Sequence, residues 1–211
     1  MMNKIREIRF GKKEKPDVID PTAYSQDGYL IHQGRMKDVR YGRKTTKDTG
    51  CGWISCFNFL KFMDKPVPPL KVAYDMEGTL LWGGRIGSNP LAVWWYLWRK
   101  GFHLRVAFTR WGMERLVRHS VREHNGRVAG VLAYIHKKGS HYTTFIREAG
   151  EVADQSANGS AKSSINQPND RSGIQLRFLN AVYGVENHRL TGKDFFEKYV
   201  KFPICFVIVA R

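Results

Sequence analysis

Cys51 stands between two glycines in Thr49-Gly50-Cys51-Gly52-Trp53, at the head of the apolar run 51–63. Cysteine attacks as its thiolate. A place at the first turn of a helix favours that form, because unpaired backbone N–H groups and the helix dipole stabilise negative charge. The same N–H groups are suited to an oxyanion developing on an acyl carbon. Glycine on either side lets other chain approach the sulfur closely. Cys56 lies about 140° further round the same helix, among Ile54, Phe57 and Phe59, where a core residue belongs. Cys205, in Ile204-Cys205-Phe206-Val207-Ile208, belongs to a strand apolar on both faces. Three cysteines do not form a disulfide framework, so each is read as a thiol.

A thiol nucleophile needs a base, and seven histidines are available. His141 has the best context, opening His141-Tyr142-Thr143-Thr144-Phe145-Ile146 just after Lys137-Lys138-Gly139-Ser140. A strand mouth holds an imidazole firmly and leaves its edge open to a cleft. His136, at the end of the preceding strand, is the rival. His119 and His124 fall on a basic helix, and His32, His103 and His188 have no evident partners.

The elements that must hold these groups follow from punctuation and period. Residues 51–63 form a helix that Asp64-Lys65-Pro66 ends, because proline disfavours helix in the residue before it. Residues 69–77 form a short helix ahead of a glycine-rich loop at 83–87. Ser88-Asn89-Pro90 opens another over 91–99, closed by Lys100-Gly101. A strand at 102–108 and a helix at 110–124 come next. Strands are then expected at 128–135, 141–148, 151–155 and 202–210, with short helices at 176–183 and 192–200. Residues 156–173, rich in Ser, Asn and Gly, read as a surface loop. Helices first and antiparallel strands after give an α+β fold. Residues 1–40 read as an irregular basic arm and 41–211 as one domain.

The chain of 211 residues carries 35 Lys/Arg against 19 Asp/Glu, a formal charge of +16. Such a field favours anionic partners. No apolar run approaches the ~20 residues of a membrane span. The charged N-terminal stretch lacks a secretion signal's apolar segment, so a cytoplasmic location is expected. Arg115, Arg118 and Arg122 fall at i, i+3 and i+7 on one helix, a spacing that suits phosphates, so a binding module, for nucleic acid above all, is the alternative function. No Cys/His pairs show zinc spacing, and neither metal nor organic cofactor is expected.

Taken together, Gly-Cys-Gly at an apolar helix and a β-half opening with His-Tyr resemble the papain-like cysteine peptidases. The chain is closest in style to the compact bacterial peptidases that process bacteriocin leaders at a double glycine. Gly87-Ser88-Asn89-Pro90 before Trp94, then Gly101-Phe102, resembles their second-helix signal. The likeness covers roughly residues 41–158. It implies Cys51 as nucleophile, His141 as general base, a peptide or amide substrate, and an Asp or Asn on the next strand that orients the imidazole. Val152-Ala153-Asp154 fits that last pattern. If Ala149-Gly150 is a tight turn, Asp154 faces Phe145 and Asn158 faces His141. Asp154 then sits about 13 Å along the strand from His141, so Asp154 and Asn158 are both candidates. The family's oxyanion Gln, about six residues before the Cys, is replaced here by Thr45, which becomes the tentative oxyanion donor.

Overall fold

The computed structural model describes residues 17–81, 87–137, 139–149, 174–181, 189–202 and 204–211. Helices α1 (Thr46–Thr49), α2 (Cys51–Phe62), α3 (Pro69–Glu77) and α4 (Pro90–Arg99) occupy the first half, beside two small hairpins. These are β1 (Arg40–Tyr41) with β2 (Lys44–Thr45), and β3 (Leu80–Leu81) with β4 (Gly87–Ser88). The second half is a six-stranded antiparallel sheet. Its strands are β5 (Leu104–Thr109), β6 (Val128–His136), β7 (Gly139–Arg147), β8 (Gln175–Leu179), β9 (Arg189–Thr191) and β10 (Ile204–Ala210), in spatial order β5-β10-β6-β7-β8-β9. Helix α5 (Arg110–Glu123) lies between β5 and β6, and α6 (Gly192–Tyr199) between β9 and β10. The fold is α+β. No helix among the described residues is long and apolar enough to cross a membrane.

Strand alternation gives the sheet two apolar faces and therefore two cores. Ala129, Val131, Tyr142, Ile146, Ile208 and Ala210 face α2, whose whole length except Lys61 is buried. Leu132, Tyr134, Phe145, Val207 and Val209 face α5 and α6 on the other side. Helix α2 is fastened to β7 at its middle, where the buried Thr144 hydroxyl donates to the Ser55 carbonyl at 2.8 Å. At the centre of the sheet Gly130 is obligatory: a Cβ there would lie 2.6 Å from the Ile208 carbonyl oxygen and closer still to the Phe145 ring.

Two expectations change. Residues 17–40 are irregular, as their lack of periodicity implies, but the boundary at 40 is not structural. Ala23, Leu30, Met36 and Val39 are fully buried in the core of α2. The buried Asn58 side chain clamps this segment, accepting from Leu30 N–H at 2.9 Å and donating to Leu30 C=O at 2.8 Å. The expected helix at 176–183 is instead strand β8 as far as Leu179, with Leu176 and Phe178 on one face and Arg177 on the other. Phe145 is paired with Gly130 on one side and Phe178 on the other, and the strand expected at 151–155 lies outside the described residues.

Candidate active site

Helix α1 runs almost directly into α2, and Gly50 is the joint. A Cβ on Gly50 would lie 2.6 Å from the Thr46 carbonyl, so only glycine lets the two helices meet so closely. Gly52 serves a neighbour instead. A Cβ there would lie 2.5 Å from Ser88 Oγ, so its absence admits β4 against the first turn of α2. Ser88 is a junction in turn: its hydroxyl is 3.2 Å from the Tyr41 hydroxyl, and its carbonyl accepts from Tyr142 Oη at 2.9 Å. The two glycines beside Cys51 thus fix the wall around the thiol.

The register of β7 sets what the sulfur meets. The β6–β7 hairpin closes on His136 and Gly139. N–H and C=O groups of successive residues point to alternate sides of a strand, so Tyr142 and Thr144 turn theirs away from β6, toward β8. Pairing with β8 stops at Thr144 and Leu179, leaving the Tyr142 N–H beyond the end of β8. That N–H, with the backbone N–H groups of Gly52 and Cys51 itself, lies close enough to the sulfur to favour its thiolate.

His141 precedes Tyr142, and its ring begins on the other face of the sheet. It lies edge-on to the rings of Tyr134 and His136, with centroids 5.9 and 6.2 Å away. From there Nε2 reaches the backbone carbonyl of Asn180, the residue after β8, at 2.6 Å. A carbonyl can only accept, so Nε2 carries the proton and Nδ1 keeps the free lone pair. Asn180 is held for this task. Its φ is +57°, a left-handed conformation that Asn tolerates better than most residues. Its side chain is anchored to Gln33, accepting from Gln33 N–H at 3.4 Å and donating to Gln33 Oε1 at 3.3 Å. Thiol and imidazole thus lie on opposite faces of β7, and no hydrogen bond or electrostatic contact joins the two side chains.

Both groups are neutral at pH 7. Burial pushes the Cys51 thiol up to about 11, and the three backbone N–H groups offset only part of that. The expected lowering at the helix N-terminus is present but outweighed by loss of water. Burial pushes the His141 imidazole down to about 4; the Asn180 carbonyl works against this, and His136 adds to it. The other two thiols are also held up by burial, Cys205 to about 12 and Cys56 further.

Thr45 is committed elsewhere, its hydroxyl donating to the Asp48 carboxylate at 2.9 Å ahead of α1. Asp154 and Asn158 lie outside the described residues. Arg115, Arg118 and Arg122 are exposed on α5, on the sheet face opposite α2. Asn180 and Gln33 did not emerge from the sequence. Asn180 acts through its backbone carbonyl, which leaves no trace in residue type, and it fell within a segment read as helix. Comparison with protein-family models, curated proteins and solved structures returned no match.

Proposed function

We propose that the chain is a thiol-dependent hydrolase of peptide or amide bonds with a papain-like arrangement, α2 supplying the nucleophile and the sheet its base. The observation that carries this reading is that the start of α2 packs against β7 at the residue that follows His141. The Tyr142 N–H lies beside Cys51 Sγ and favours its thiolate, while the Asn180 carbonyl holds the His141 proton on Nε2. Nδ1 is thereby the basic nitrogen of the ring, and the imidazole has to turn toward the thiol for the proton to pass.

With both groups neutral, the thiol proton moves as the sulfur attacks. Sγ bonds to the acyl carbon, its proton passes to Nδ1, and the carbonyl electrons move to oxygen. Backbone N–H groups at the first turn of α2 stabilise that oxyanion in place of a side-chain donor. The imidazolium then gives its proton to the departing amine, and a thioester remains on Cys51. Water, deprotonated by Nδ1, cleaves the thioester and restores the thiol. The Asn180 carbonyl replaces a carboxylate orienter: it fixes tautomer and ring angle without adding negative charge, consistent with the low imidazole pKa.

The test is exposure to a mixed peptide library with mass-spectrometric detection of new termini, beside Cys51→Ala. Cleavage by the native chain and none by the variant supports the reading. Equal cleavage by both, or none by either while Cys51 also fails to form a thioester with an activated ester, overturns it.

A further inference from the structure

Helix α5 has a second use written on its outer side. Its buried face is Met113, Val117 and Ser120, set against the sheet. At 100° per residue, Trp111, Arg115, Arg118 and Arg122 fall within a sector of about 60° diametrically opposite that face, along a rise of about 16 Å. All four are exposed, Trp111 by 71%. The acids of this layer are engaged with other bases. Glu114 pairs with Arg110, Glu123 with Arg105 and His119, and Glu197 with Arg110 and Lys193. Among the described residues no carboxylate lies within ion-pair distance of Arg115, Arg118 or Arg122. Like charges at this spacing repel, so the stripe weakens the isolated helix.

We infer that this stripe binds single-stranded nucleic acid, the three guanidinium groups taking successive phosphates and the Trp111 indole stacking on a base. Guanidinium is suited to phosphate, and an exposed aromatic beside a basic track is how single strands are held without sequence preference. The net charge of +16 supplies attraction at longer range. A membrane surface fits less well, because an interfacial helix buries its apolar face in lipid and the apolar face of α5 is already buried in protein. The stripe lies on the opposite side of the sheet from Cys51, so binding there leaves the thiol open.

The experiment is fluorescence anisotropy of the full chain with a short labelled oligothymidylate, an abasic oligomer of equal length, polyglutamate and phosphatidylserine vesicles, across a salt series. Three phosphate contacts to a single strand predict a salt slope steeper by about 2 in the native chain than in Arg115→Gln/Arg118→Gln/Arg122→Gln. Trp111→Ala should weaken oligothymidylate about five- to 150-fold and leave the abasic oligomer unchanged. All four positions are exposed, and circular dichroism checks that the variants fold. No binding of oligothymidylate at low salt overturns the inference. So does an unchanged slope in the triple variant, an equal effect of Trp111→Ala on both oligomers, or tighter binding of vesicles or polyglutamate than of oligothymidylate.

Discussion

Raising the pH from 7 to 10 should accelerate alkylation of Cys51 about tenfold per unit, with no plateau on the way. With the thiol at about 11, about one sulfur in ten thousand is ionised at pH 7 and about one in ten at pH 10. The unperturbed value is 9.0, so unfolding at pH 7 should raise the thiolate population about a hundredfold. The assay is the rate of iodoacetamide incorporation into the Cys51 peptide, followed by mass spectrometry from pH 4 to 10, native and in denaturant. Cys56 and Cys205, both deeply buried, serve as internal controls and should label only on unfolding. A plateau of fast labelling between pH 4 and 8 would mean a standing thiolate–imidazolium pair. The argument that burial outweighs the helix N-terminus would then be wrong.

Three further outcomes follow from the same geometry. His141 has a depressed native pKa, about 4 against 6.5, so the unfolded chain takes up a proton first as pH falls. Stability should fall between pH 6.5 and 4 by at most about 3 kcal/mol, an upper figure because the ring is only half-buried, and His141→Gln should remove that slope from urea titrations. An unchanged slope would show that the imidazole is not kept neutral by the fold. Asn180→Gly preserves both the left-handed backbone and the carbonyl and should keep most activity and the Nε2–H tautomer seen by nitrogen NMR. Asn180→Val, strained at positive φ, should lose both; equal loss in the two variants would assign the role to the side chain. Gly52→Ala should destabilise by up to about 2 kcal/mol in chemical denaturation, crowding against Ser88 outweighing the better helix propensity, and Ser88→Gly in the same chain should restore stability.

The parts legible in the sequence were those with strong local signals. Pro69, Asn89-Pro90 and Thr109 start helices where capping and proline chemistry place them, with the Asn89 and Thr109 side chains accepting from Leu91 and Gly112 N–H. Strands β6 and β7 follow from long β-branched and aromatic runs. Segment 17–40 carried no period because its buried residues are held by single tertiary contacts, such as the Asn58 clamp on Leu30. Strand β8 has only five residues, and pairing on both its sides decided its form. At the site, residue types pointed to Cys51 and His141, while the faces of β7 that they occupy depend on strand register. The thiol's electrostatics went the other way from the helix argument, because a sequence shows a helix start but not the water removed from it.

The central claim is that His141 Nδ1 takes the Cys51 proton. It is tested most directly by the pre-steady-state rate of Cys51 acylation with p-nitrophenyl acetate, in the native chain and in His141→Gln, with the thioester located by mass spectrometry. The account predicts a burst on Cys51 in the native chain and a rate about 10²- to 10⁴-fold lower in the variant, the usual worth of a positioned general base. Acylation at the same rate in both chains would contradict it.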